Sequence, residues 1–252
     1  MSSAHVHRHL AAGAGARHAY EVNQQRIANL WAQARAVAAD DPADRFLRAS
    51  GAAPLVPGGW PASLRLHPAL DYWQVARNGI AVCQGHHPAL LVLLQLDVFP
   101  NGLRGQAVQH AVALQRIYLA GDGSLAQVPA PVKATGMAGP GQGAAAQLAP
   151  FDPASGAWGV AVGVVPALRI ARATRMPVWA VPDAAALAHV RWPRGARSAH
   201  LFIDPAAPAQ WPPAAELARK ASACGLDVYP MQAQLANAAG ALPAPHITAT
   251  RF

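Results

Sequence analysis

The chain has only two cysteines in 252 residues, Cys83 and Cys224, far apart and without CxxC spacing. That spacing excludes a disulfide framework and a zinc ribbon. The expectation is two buried free thiols in a reducing cytoplasm. Charged residues make up 13% of the chain and hydrophobic residues 53%, which excludes wholesale disorder and requires a packed core. No apolar run reaches the roughly 20 residues of a membrane span. The longest, "HPALLVLLQLDVF", stops well short. The opening "MSSAHVHRHLAAGAGARHAY" carries histidines where a signal peptide has its apolar stretch, so no secretory leader is expected. These absences describe a soluble, cytoplasmic protein without a membrane partner.

Acidic residues are also few: twelve, against twenty Lys and Arg, for a formal net charge of +8. The resulting pI near 10.5 fits a nucleic-acid partner or an anionic surface. The excess is spread out. Residues 1–60 hold six basic and four acidic groups, 61–150 five and three, and 151–252 nine and five. With no dense tract, charge permits such a partner without locating it. Abundant alanine, and arginine in place of lysine, read as a high-GC coding bias.

What is present falls into segments. Residues 1–19, rich in Ala, Gly and His, read as a disordered tail. His5, His7 and His9 alternate there, but no carboxylate or cysteine beside them completes a metal site. From Tyr20 to Ala39, the residues Ile27, Leu30, Trp31, Ala34 and Val37 form one helical stripe. "DDPADRFLRASGA" reads as a cap, a first-turn proline, a short helix and a glycine stop, which completes an N-terminal helical hairpin. Residues 54–130 are short apolar runs punctuated by Pro, Gly and Asp-Gly turns, a strand-rich pattern. His-Pro-Ala-Leu occurs there twice, at 67–70 and 87–90, and its histidines read as strand-edge hydrogen-bonding groups. "GMAGPGQGAAAQLAPFDPASG" (136–156) lacks the GK[ST] ending of a P-loop and reads as a mobile loop or domain linker.

Beyond it a βαβ rhythm begins: "WGVAVGVV", "PALRIARATR", "MPVWAV", "PDAAALAHV", "SAHLFID", "PPAAELARKASACG" and "LDVYPM" alternate strand and helix. The expected architecture is an α+β region over 20–150 followed by a small α/β domain over 151–252. That domain would hold about four mostly parallel strands with crossover helices. Within it, "HLFIDPAA" ends a strand on Asp204, where α/β enzymes often present a metal ligand. One carboxylate alone holds magnesium poorly. Asp183 and Asp152 are loop acids that could substitute, though nothing in the spacing favours them, and Asp-Pro also simply starts turns and helices.

Taken in order, "IANLWAQARAVAADDPADRFLRASG", "PASLRLHPALDYW", "HPALLVLL", "QRIYLAGDGSLAQV", "GQGAAAQL" and the βαβ region resemble the Toprim-domain primase-like proteins of phages, plasmids and integrated elements. The resemblance covers about Ile27 to Met231. It implies a Toprim-like C-terminal fold, a primase-associated N-terminal region and magnesium-dependent phosphoryl transfer. In that family the first Toprim strand ends in a Glu-Gly-Ile-Glu-Thr-Ala-Leu type motif. Here the same place reads Val162-Gly163-Val164-Val165-Pro166-Ala167-Leu168. The family's Asp-x-Asp reads Asp204-Pro205-Ala206, its usual basic residue after the Gly-Gly-Ala stretch is Gln147, and its His-Arg-Thr is Gln115-Arg116-Ile117. Valine has no oxygen to bind a metal or move a proton. Val162, Val165, Asp204 and Ala206 are therefore vestigial positions, with Asp204 the one residual metal candidate. No cofactor is expected, and magnesium only if activity persists.

The implied function is a catalytically degenerate primase-like protein that binds DNA or RNA weakly, or assists a replication or transfer partner. Candidate nucleic-acid contacts are Arg116, Lys133 and a row on the first crossover helix, Arg169, Arg172 and Arg175. Arg191, Arg194 and Arg197 make a second loose cluster. Trp60 and Trp211, among prolines, are candidates to stack on bases, whereas Trp31, Trp73, Trp158 and Trp179 read as core. Two alternatives stay open: an active primase or nucleotidyltransferase with a displaced magnesium site, and an interaction module without nucleic-acid binding. No G-x-S-x-G and no strand-linked G-x-G-x-x-G supports a hydrolase or a Rossmann enzyme.

Overall fold

The computed structural model describes residues 3–55, 59–98, 108–139, 142–234 and 245–250. It is a mixed α/β structure with two five-stranded sheets. The first is antiparallel in the order β1-β2-β3-β4-β5, from β1 (Arg35–Ala36), β2 (Leu64–Val75), β3 (Ala81–Val98), β4 (Val108–Tyr118) and β5 (Val132–Ala134). Helix α1 (Ser3–Gln33) precedes it, and α2 (Pro42–Ala49) lies between β1 and β2.

The run "ALLVLL" in β3 is apolar throughout because both of its faces are buried, and its side chains alternate between them. Ala89, Leu91 and Leu93 join Leu70, Tyr72, Leu114 and Tyr118 under α1, which contributes Ile27, with Ala34 just past its end. Leu90, Val92, Leu94 and Leu96 face the other way, onto Ala43 and Leu47 of α2. The two helices thus cover opposite faces of the sheet and do not form a hairpin against each other. Helix α1 also begins inside the segment expected as a disordered tail. Alanine dominates there, no proline interrupts, and Gly13 and Gly15 cost only about 1 kcal/mol each. The side chains of His5, His7 and His9 lie outside the described residues.

Helix α2 follows its sequence signals. Asp41 caps it by accepting the Asp44 N–H at 2.9 Å, Pro42 opens it, and Gly51 leaves it at φ +77°. The two His-Pro-Ala-Leu stretches are antiparallel neighbours, His67 opposite Ala89 and Leu70 opposite His87, with a register shift between them. Pro68 and Pro88 have no N–H to give the ladder, which accounts for the break.

The second sheet runs β10-β9-β8-β6-β7, from β6 (Ala157–Val162), β7 (Val178–Val181), β8 (Ser198–Ile203), β9 (Asp227–Gln234) and β10 (His246–Ala249). The four expected strands are mutually parallel, and β10 adds an antiparallel edge. Helix α3 (Val164–Thr174) covers the face toward the first sheet, while α4 (Ala184–Leu187) and α5 (Trp211–Ala223) cover the other. One apolar cluster runs from Leu64 and Leu90 through Leu168 and Ile170 of α3 to Val178 and Phe202.

The glycine-rich connector is neither mobile nor a linker over its described end. Ala144, Ala145, Ala146 and Leu148 are all buried. Ala145 exchanges backbone hydrogen bonds with Gln95 of β3, and Ala146 does the same with Ala180 of β7. Two consecutive alanines therefore join the sheets. The cysteines depart from expectation too. Cys83 is half-buried on the outer arm of β3, and Cys224 is exposed at the C-terminus of α5. No helix among the described residues is long and apolar enough to cross a membrane.

Candidate nucleic-acid interface

The chain runs from β6 through α3 to β7 on one side, then crosses back through α4 to β8 on the other side of β6. The crevice between the carboxyl ends of β6 and β8 is where such sheets place ligands. Ala161 pairs with Phe202, so Gly163 stands level with Asp204. Gly163 makes the sharp turn into α3 at φ +87°. On either side of it, Val162 packs toward α4 and α5, and Val165 packs into the cluster between the sheets. Both valines are part of the apolar packing.

Asp204 closes its own turn. Its Oδ1 accepts the Ala206 N–H at 2.9 Å, while its N–H donates to Gln210 Oε1 at 3.1 Å. The two loop acids are engaged in the same way: Asp183 caps α4 through Ala186, and Asp152 accepts from Ala154 and Ser155. Asp204 belongs to no group of three His, Cys, Asp or Glu side chains with mutually close ligating atoms among the described residues.

The expected row on α3 does not form. Arg169 is 6% exposed and lies within the fold, so only Arg172 and Arg175 reach solvent. Arg172 donates to Pro54 O at 3.2 Å where two grooves of about 680 and 660 Å³ meet, one lined by Arg48 and the other by Arg175. Arg197 is occupied by the carbonyls of Pro153 and Ala154. The tryptophans proposed for stacking are held as well. Trp60 Nε1 donates to Asp44 at 2.7 Å, and Trp211 packs against the cluster under α5. Gln147, at the family's basic position, takes part in a polar chain with Gln109 and Asp97.

Arg116 and Lys133, by contrast, are brought together. They are register partners on β4 and β5, on the face that α1 covers. Arg116 is 9% exposed; its guanidinium donates to Ala134 O at 2.8 Å and weakly to Tyr118 Oη at 3.4 Å, while its Nε has no hydrogen-bond partner. Lys133 Nζ sits 3.7 Å over the Tyr72 ring and donates to Trp73 O. Burial holds the Arg116 pKa below the ordinary arginine value, and the charge of Arg26 on α1 presses the same way. Burial also raises the Tyr118 pKa, so that hydroxyl keeps its proton. All twelve carboxylates are described, and none pairs with Arg26, Arg116 or Lys133. An uncompensated buried charge costs several kcal/mol. The cost is recovered if an anion docks beside it.

All three cations lie in a stretch with a recognisable family profile. Residues 21–147 match the family described as a domain of unknown function (DUF7146). The chain belongs to that family. No curated protein and no solved structure matches the chain. The DUF7146 region takes in the C-terminal part of α1, the whole antiparallel sheet and the alanine pair of the connector. Arg26, Tyr72 and Tyr118 carried no signal in the sequence, because only strand register and the seat of α1 bring them beside Arg116.

Proposed function

We propose that the protein is a catalytically degenerate Toprim primase-like protein that binds nucleic acid as an accessory to DNA replication or transfer. The observation that carries the binding is the buried Arg116 guanidinium with no carboxylate. It underlies an outer pair of cations, Arg26 and Lys133, and an aromatic floor of Tyr72 and Tyr118. A backbone phosphate supplies the missing charge, and exposed Arg26 with half-buried Lys133 gives affinity that falls with salt. Supporting the degenerate reading is a parallel sheet whose switch point carries one carboxylate, spent on its own turn, opposite two valines. One oxygen donor group does not hold magnesium in octahedral geometry against water.

Two measurements test the two halves of the reading. In fluorescence anisotropy with a labelled single-stranded oligonucleotide, Arg26→Ala with Lys133→Ala is expected to weaken binding roughly ten-fold. It should also flatten the slope of log K against log salt by about 1.4, near 0.7 for each lost phosphate contact. Arg172→Ala with Arg175→Ala, on the other side of the sheet, should leave that slope nearly unchanged. Salt-independent binding, or none, favours the interaction module. In a primer-synthesis assay with magnesium or manganese the wild type is expected to make no product; template-dependent product abolished by Asp204→Ala would overturn the degenerate reading.

A further inference from the structure

We propose that Asp71, Cys83 and His86 form a zinc site on the outer arm of the β2–β3 hairpin. This site is separate from the crevice at Asp204 and lies on the opposite face of β2 from Tyr72 of the cationic face. The strand register carries it. Asp71 is opposite His86 and Trp73 is opposite Cys83, two steps on β2 matched by three on β3. The extra residue is a β-bulge in which Gln84 and Gly85 face Tyr72. In a regular strand, residues three apart point to opposite faces. The bulge cancels that, so Cys83 and His86 face the same way, beside Asp71.

Gly85 sets the bulge at φ +139°, a backbone angle that side-chain-bearing residues rarely adopt. Bulges of this kind re-aim side chains next to functional sites. The outcome is geometric: one ligating atom from each of the three residues lies within 4.8 Å of the others. His86 Nδ1 and Asp71 Oδ1 are already 2.7 Å apart.

The donor set selects the metal. Thiolate and imidazole favour zinc over magnesium or calcium, and a carboxylate is a normal third ligand. With bonds of about 2.0–2.3 Å, ligand atoms in a tetrahedral zinc site stand roughly 3.3–3.8 Å apart. Small side-chain rotations close the trio onto that spacing. The hydrogen bond between His86 and Asp71 then gives way to two metal bonds, and the Cys83 thiol loses its proton to solvent. His86 and Asp71 keep 64% and 46% of their side-chain exposure, so the fourth position opens to water. Three protein ligands and one open position characterise a zinc that can engage another group, in contrast to a closed structural site.

The test uses the reduced full-length chain carrying His5→Ala, His7→Ala and His9→Ala, which removes the histidine-rich N-terminus as a competing ligand. Cobalt is added first and then displaced with zinc. The expected result is a thiolate-to-cobalt charge-transfer band saturating at one metal per chain, bleached by zinc, absent in Cys83→Ser and intact in Cys224→Ser. Zinc affinity, measured against a chromophoric chelator, should fall about ten-fold or more in both His86→Ala and Asp71→Asn. Asp71, Cys83, His86 and Cys224 are all at least partly exposed, and circular dichroism verifies that the variants remain folded. No band in the parent chain, a band that survives Cys83→Ser or disappears in Cys224→Ser, or unchanged zinc affinity in either His86→Ala or Asp71→Asn overturns the proposal.

Discussion

Asp44 is 2% exposed, and its carboxylate accepts hydrogen bonds from Arg48 Nε, Trp60 Nε1 and the Asp40 N–H. Burial alone would raise its pKa, but those donors outweigh burial and hold it below the ordinary aspartate value. A depressed carboxylate contributes stability that is present above the unfolded value, near 3.9, and lost as pH falls through the folded one. Asp44→Asn is expected to cost about 2 kcal/mol at neutral pH in urea denaturation and to flatten the acid limb below about pH 4. His67 acts on the same curve at higher pH. Its Nδ1 accepts the Ala69 N–H, its Nε2 faces Gln33 Oε1, and burial holds its pKa below 6.5 despite the nearby charge of Asp71. The unfolded chain therefore takes up that proton first, and stability declines as pH drops below about 6.5. His200, half-buried and stacked on Tyr229, adds to the decline because burial lowers its pKa. His67→Gln should reduce the loss between about pH 6.5 and 5, measured by the shift of the urea midpoint with pH.

At this scale the sequence was readable wherever a residue acts on its neighbours. The Asp41 cap and the Pro42 start depend only on local backbone, and both were expected. Arg169 was not readable. The helix "VVPALRIARAT" is apolar nearly all round, so spacing could not tell which of its arginines points inward. Arg116 was readable as basic but not as buried, since its burial comes from α1, more than eighty positions away in the chain.

Strand β3 decides the organisation of the elements. Its inner half is covered on both faces, and its outer half, paired with β2, reaches past β4 with Val82 and His86 exposed and Cys83 half-buried. Leu91→Ala, on the face under α1, is expected to cost about 2–5 kcal/mol. By loosening the α1 seat it should also weaken the proposed binding of single-stranded oligonucleotide. An unchanged urea midpoint would remove β3 from the centre of the first sheet. The alternation of strand and helix over 157–234 was legible because each run has a clear period and a proline or glycine boundary. The β-bulge at Gly85 was not, because period-2 pattern breaks look the same whether a strand ends or takes an extra residue. β1 is only two residues long and β10 only four, too short to show a pattern at all.

For the molecule as a whole, the shared cluster and the connector predict one unfolding event. Far-UV circular dichroism and tryptophan fluorescence should give coincident urea transitions, and separated midpoints would mean that the sheets unfold independently. Ala146→Leu places three extra carbons at a fully buried position between the sheets and should cost about 1–3 kcal/mol while keeping the single transition. Composition alone made the alanines of "GQGAAAQL" look like a drift of the coding sequence. Ala145 and Ala146 give that drift a limit: here a side chain is a spacer one methyl thick. Elsewhere in the chain a mutation to valine or serine is a matter of taste for the gene, but at this seam it changes the distance between two sheets, so the tolerance of the whole assembly is set by its smallest side chains.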